Sequence, residues 1–215
     1  NSTFFTDFDN GEKFKLSQGQ WTSPEIWEDV NLPHTYNLDD MQRDRNFFEG
    51  KAIYRKKFAI AADQKERRTF LKFEGVGAVA QVYINDSYIG EHKGGYAMFV
   101  FEISNSVLYG EENTVTLITD NKARKDVIPT NQFLFPVYGG IYRPVHLIST
   151  SKTGFVVADQ AAPGLFIRQR EVSSREARIT VLAKLETTEK VTQKGELLIE
   201  IRDDKNKLVT TQKEA

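Results

Sequence analysis

Residues 74–99 read EGVGAVAQVYINDSYIGEHKGGYAMF. Val82 and Ile84 alternate with Tyr83 and Asn85, the period-2 signature of a half-buried strand. Asn85-Asp86 then offers two residues that tolerate positive φ, as a tight hairpin requires. Tyr88 and Ile89 open the return strand, and Gly94-Gly95-Tyr96 makes a glycine-rich aromatic loop. The opening Gly75-Val76-Gly77-Ala78-Val79-Ala80 satisfies G-x-G-x-x-A, the dinucleotide pattern. That pattern works only where a helix aims its amino end at a pyrophosphate. Here the next residues, Gln81-Val82-Tyr83-Ile84, are β-patterned, so the glycines read as a strand-linking turn.

The same pattern continues in both directions. Upstream, Tyr54, Lys56 and Phe58 fall on one strand face with Arg55 and Lys57 on the other, and Phe70–Phe73 follows a polar turn at Asp63–Arg68. Downstream, Phe99, Phe101 and Ile103 alternate with Val100 and Glu102, then Val115 and Leu117 with Thr114 and Thr116. A last strand is expected over Ile141–Ile148. The first fifty residues read as irregular apart from a short run at Phe14–Leu16, with Asp39–Arg45 a charged, solvated loop. Short strands with turn signals between them indicate an all-β sandwich or barrel. Aromatics thin out after Ser149–Gly154. Beyond Pro163-Gly164, Ile179, Val181, Ala183 and Leu185 alternate, as do Leu197, Ile199 and Ile201, with a hairpin turn at Asp203–Asn206. This divides the chain into residues 1–150 and 151–215. The second part is expected to hold three or four strands of an immunoglobulin-like sandwich, fewer than the roughly seven a complete one needs.

Composition removes several classes of function. Lys and Arg (29) nearly cancel Asp and Glu (30), so no basic face for nucleic acid is signalled. No apolar run approaches the roughly 18 residues of a membrane span. The absence of cysteine excludes disulfides, thiolate metal sites and cysteine nucleophiles. His34, His92 and His146 have no second ligand at metal spacing. Asp39, Asp40 and Asp44 lack the glycine and closing glutamate of a calcium loop. No metal or cofactor is expected. Asn85-Asp86-Ser87 and Asn1-Ser2-Thr3 match the glycosylation sequon, although turn chemistry alone accounts for Asn85. No Gly-x-Ser-x-Gly nucleophile motif occurs.

What remains is a set of aromatic, amide and glycine residues in loops. Tyr96, Phe133, Tyr138 and Tyr142 lie among or near glycines, with Asn121, Asn131, Gln132 and Arg143 close in sequence. Sugars present an apolar ring face and a rim of hydroxyls, which aromatic faces and amides suit. For most of these aromatics, capping the sandwich core is the commoner role.

NLPHTYN (31–37), YRKKF (54–58), the 74–99 segment, TDN (119–121) and YGGIYRPVHL (138–147) together resemble the amino-terminal domain of glycoside hydrolase family 2. GLFIRQREVSS (164–174) resembles the start of that family's immunoglobulin-like domain. The resemblance implies a jelly-roll, galactose-binding-like β-sandwich, a partial immunoglobulin-like sandwich, and a catalytic (β/α)₈ barrel of about 250 residues that this chain does not contain. The two catalytic glutamates of the retaining mechanism belong to that barrel, so no catalytic residue is assigned here. The implied role is to support the barrel and shape its sugar subsite in an exo-β-glycosidase, a β-galactosidase by nearest likeness. The implied partners are carbohydrate and the barrel of the same full-length chain, not nucleic acid or membrane. A self-sufficient carbohydrate-binding module is the alternative. The family commonly places an Asp shortly before YGGIYR; this chain has Asn131 and Gln132 near that place and no Asp. The substrate-contact candidates are Asn131, Gln132 and Tyr138, with Arg45 and Asn46 on a second loop, and Asn121. An opening Asn1 without Met, and a polysaccharide-type substrate, point to a bacterial periplasmic or extracellular placement.

Overall fold

The computed structural model of the protein describes residues 4–7, 14–18, 27–40, 48–128, 137–190 and 194–214. In chain order, the strands are β1 (Phe4–Asp7), β2 (Phe14–Gln18), β3 (Glu28–Val30), β4 (Lys51–Ala59), β5 (Arg68–Phe73), β6 (Val79–Ile84), β7 (Ser87–Lys93), β8 (Phe99–Glu102), β9 (Glu112–Asp120) and β10 (Val145–Thr150). There follow β11 (Thr153–Phe155), β12 (Leu165–Arg170), β13 (Arg178–Ala183), β14 (Leu185–Thr187), β15 (Leu197–Arg202) and β16 (Leu208–Glu214). One short 3₁₀ turn, Ala62–Glu66, is the only helical element among the described residues.

The first ten strands form two antiparallel sheets, ordered β1-β10-β5-β8 and β3-β2-β4-β9-β6-β7. Alternation decides which side chains meet between them. In the larger sheet Tyr54, Leu117 and Val82 lie abreast across β4, β9 and β6, each no more than 1% exposed. Opposite them Leu71 and Phe73 of β5 are flanked by Phe101 and Phe99 of β8 and by Leu147 and Val145 of β10. Phe73 stacks on Phe99 at 4.8 Å between ring centroids. These residues form one buried cluster, with Phe101 and Leu147 partly buried against it. Each large side chain so buried stabilises the fold by roughly 1.5–3 kcal/mol. The molecule is thus the all-β jelly-roll sandwich that the alternation and resemblance indicate. From Thr153 on, the strands pair as three hairpin-like ribbons, β11-β14, β12-β13 and β15-β16.

The decisive hairpin forms as its residues dictate. Asn85 (φ 50°) and Asp86 (φ 64°) both adopt the left-handed conformation between β6 and β7. The Asn85 amide donates to Ser106 O at 3.0 Å and Asn113 Oδ1 at 2.8 Å, and accepts from Thr114 N at 2.9 Å. Its side chain is therefore engaged within the fold rather than offered to a glycan. After Gly75-Val76-Gly77 the chain enters β6, with no helix to hold a pyrophosphate.

Four sequence expectations are corrected. Beyond Ser151 the chain carries six strands among its described residues, not three or four, because short segments such as Thr153–Phe155 and Leu185–Thr187 gain strand geometry only by pairing with each other. The amino-terminal stretch carries three short strands: β1 pairs with β10, β2 with β4, and β3 with β2. The last strand of the sandwich starts at Val145, not Ile141. Gly140 sits at φ +122°, and Pro144 has no N–H to give to a ladder, so residues 138–144 form a loop. Arg68 begins β5 and is 9% exposed, rather than ending a polar turn.

Candidate functional site

The segment 34–37 runs beside 137–141 at one end of the sandwich. His34 N donates to Ile141 O at 2.8 Å and Tyr36 N to Gly139 O at 3.1 Å. Two glycines permit this approach. A Cβ on Gly139 would lie 2.0 Å from the Tyr36 ring, and one on Gly140 would lie 2.6 Å from both His34 O and Tyr54 Oη. On the other side Gly77 N donates to Gly140 O at 3.1 Å. Thr119 Oγ1 in turn donates to Gly77 O at 2.6 Å.

Two asparagines close the arrangement, Asn121 directly after β9 and Asn37 in the turn that follows the 34–36 segment. Asn37 and Asn121 are both 0% exposed. Asn37 Nδ2 donates to Phe48 O (3.1 Å) and Val137 O (3.3 Å), while its Oδ1 accepts from Gly139 N at 3.0 Å. Asn121 Nδ2 donates to the same two carbonyls at 3.0 and 2.9 Å, and its Oδ1 accepts from Gly50 N at 2.8 Å. Two amides thereby tie residues 48–50 to residues 137–139. Such buried, fully used amides satisfy backbone groups that a loop would otherwise leave unpaired. Tyr36 Oη donates to Gly50 O at 2.9 Å, and its ring meets Phe48 edge-on at 5.7 Å.

Burial sets the protonation of this end. It raises the pKa of the Tyr36 and Tyr54 hydroxyls well above the ordinary 10.0, so both stay neutral. It lowers that of His34, whose Nδ1 lies 2.9 Å from Tyr54 Oη. The surface beyond is aromatic and polar. Tyr138 is 42% exposed and Tyr96 63%. Tyr142 Oη donates to Gly95 O, and the exposed Arg143 guanidinium lies 5.6 Å from the Tyr142 ring centre. These groups can stack on a sugar ring and bond its hydroxyls.

Of the sequence candidates, Arg45, Asn46, Asn131 and Gln132 lie outside the described residues. The described ends of their segments, Phe48 and Val137, meet at the paired amides. Tyr138 is on the surface at that junction. Asn121 is turned wholly inward and acts on the loops, so its place is that of a tether rather than a contact. Sequence reasoning assigned no role to Asn37, Tyr36 or His34, although all three sit within NLPHTYN. An Asn directly before a turn was the available signal for Asn37.

Three kinds of comparison agree with this architecture. The family model described as "Glycosyl hydrolases family 2, sugar binding domain" matches residues 13–151. A β-glucuronidase of Bacteroides fragilis is 41% identical over 158 residues, covering 73% of this chain and 22% of the relative. A β-galactosidase of Thermoanaerobacterium thermosulfurigenes is 40% identical over 124 residues, covering 56% and 17%. A crystal structure of a candidate β-galactosidase from Bacteroides fragilis superposes with a TM-score of 0.90 at 39% identity, over 100% of this chain and 33% of that one. The β-glucuronidase of Bacteroides uniformis gives 0.84 at 26% identity, over 99% and 26%. The chain thus spans a third or less of the relatives it matches. Because the family model runs from β2 through β10, across both sheets and the amide-tied loops, the chain belongs to glycosyl hydrolase family 2 through its sugar-binding domain.

Proposed function

We propose that this chain is the non-catalytic amino-terminal region of a retaining exo-β-glycosidase. In this reading residues 1–150 shape the sugar subsite, residues 151–215 begin an immunoglobulin-like sandwich, and a catalytic barrel elsewhere in the full-length protein supplies both carboxylates. The substrate class is a terminal β-linked galactose or glucuronic acid, since relatives named for either activity are equally similar. The observation that carries the reading is the pairing of Asn37 with Asn121. It brings the roots of the two candidate contact segments together beside the exposed Tyr138.

The test is hydrolysis of aryl β-galactoside and aryl β-glucuronide by the full-length protein and by the isolated 215 residues. The full-length protein should turn over at least one of them with retention at the anomeric carbon, and the isolated chain neither. An open rim lacks the enclosure of a formed pocket. Titration of the isolated chain with galactose should therefore give at best a millimolar constant, roughly −4 kcal/mol. An inert full-length protein, with micromolar glycan binding by the isolated chain, would instead establish a self-sufficient binding module.

A further inference from the structure

We infer that Asn37 and Asn121 are positioning residues for the sugar subsite, and that Tyr138 and Glu49 are the two side chains they present. The inference rests on the reading of this end as a sugar subsite. Each amide brackets one residue. Asn37 takes the carbonyl of Val137 and the N–H of Gly139, on either side of Tyr138. Asn121 takes the carbonyl of Phe48 and the N–H of Gly50, on either side of Glu49. Both flanks of each bracketed residue are held inward, and Tyr138 and Glu49 are exposed. The two brackets are also coupled, because each amide nitrogen donates to both carbonyls. Shifting one loop root therefore strains the bonds of the other. A phenol ring offers stacking and a hydroxyl. A carboxylate accepts bonds from sugar hydroxyls, and such charge-assisted bonds are the stronger kind. Glu49 was not singled out by the sequence, where it lies after the charged loop with no motif around it.

A matched control exists in the same strand. Asn113 is 1% exposed and uses its amide on Leu108 N and O at 2.7 and 2.8 Å. It stands at the start of β9, whereas Asn121 follows its end. They stand eight positions apart along the strand direction, roughly 26 Å.

The experiment is steady-state kinetics on the full-length protein, using whichever aryl β-glycoside the wild type hydrolyses. Asn37→Ala and Asn121→Ala should each raise KM about tenfold, equivalent to about 1.4 kcal/mol, with a smaller change in kcat. Asn113→Ala should lose comparable thermal stability while leaving KM within about twofold of wild type. Tyr138→Ala and Glu49→Gln are surface changes that leave the tethers intact. They should raise KM without lowering the melting temperature. Combining Asn37→Ala with Tyr138→Ala should raise KM by clearly less than the product of the two single rises, because Asn37 acts in part through Tyr138. Equal KM rises in Asn113→Ala and the two tether variants would reduce the tethers to general stability and overturn the inference. So would an unchanged KM in Tyr138→Ala and Glu49→Gln, where misfolding is not at issue. A wild type inert to both glycosides would overturn the glycosidase reading itself, a different result from an active wild type with insensitive variants.

Discussion

Gly140 shows how little space the loop end leaves. A side chain there meets two different neighbours at 2.6 Å, one of them backbone, and the backbone sits at φ +122°. Overpacking of this kind costs about 1–3 kcal/mol, and a side chain in such a conformation about 1–3 kcal/mol more. Gly140→Ala should therefore destabilise the protein by at least about 2 kcal/mol, read as a lower urea midpoint. Gly154→Ala is the counterpart. Nothing lies within 4 Å of its Cβ, and the change should stay within about 1 kcal/mol of wild type. Equal midpoints for the two variants would mean that the 138–140 loop yields rather than resists. At this scale YGGIYR was legible as a glycine-aromatic loop. Which glycine faced which ring was not, because Tyr36 and Tyr54 come from elements about a hundred residues earlier in the chain.

Between elements, Arg68 at the start of β5 joins strands from both parts of the chain. Its Nε and Nη2 donate to Glu102 of β8 at 3.1 and 2.9 Å. Its Nη1 lies 2.6 Å from Glu186 Oε1 of β14, an ion pair without hydrogen-bond alignment. Lys152 and Glu66 add a second, exposed ion pair between the same two stretches of chain. Arg68→Met keeps much of the length and removes the charge, leaving two carboxylates facing a thioether. Glu102 is partly solvated, at 38% side-chain exposure, so water recovers part of its loss, whereas the Glu186 Oε1 facing Arg68 is buried. We expect about 1–3 kcal/mol, seen as a lower melting temperature at neutral pH. The pH dependence has a definite sign. Hydrogen bonds from Arg68 hold the Glu102 carboxyl below its ordinary 4.5. Its contribution is therefore present above pH 4.5 and lost as pH falls through the folded value. The gap between wild type and Arg68→Met should narrow on acidification from pH 7 to pH 3.5. A constant gap would show that Arg68 acts by packing against Phe70, whose ring lies 4.8 Å from its guanidinium, and not by charge.

For the whole molecule, buried titratable groups predict a bounded window of stability. Burial lowers the pKa of His34 and of His92, which stacks on Phe99 at 4.3 Å. Unfolding releases them to protonate near 6.5, so stability should fall as pH drops below about 6.5 and keep falling toward the folded values. Tyr36 and Tyr54 shift the other way. Their hydroxyls are raised above 10.0 by burial, so the stability they confer is full below pH 10 and is lost as the unfolded chain begins to ionise above it. Melting temperatures measured from pH 5 to 11 should form a plateau between about 6.5 and 10 with decline on both sides. Tyr54→Phe, which leaves His34 without its hydroxyl partner, should weaken the alkaline decline. Its persistence unchanged in that variant would assign the decline to other groups.

Alternation and turn chemistry alone determined the all-β class, the Asn85-Asp86 hairpin, the facing of Tyr54, Lys56 and Phe58, and the absence of a helix after Gly77. Those are local properties: a period of two and a tolerance of positive φ are written within a few neighbouring residues. The resemblance carried by NLPHTYN, EHKGGY and YGGIYR indicated the family before any coordinates. What only the tertiary structure decided is which side chains share a site. Asn121 read as a possible contact because it is polar and lies near glycines. It is a tether because β9 ends where residues 48–50 and 137–139 cross, and a buried amide there must spend every donor and acceptor it has. Asn37 and Asn121 stand 84 positions apart in sequence, yet they bond the same two carbonyls. No local pattern encodes that meeting, because it is made where loops from distant parts of the chain converge at the end of the β4-β9 ladder.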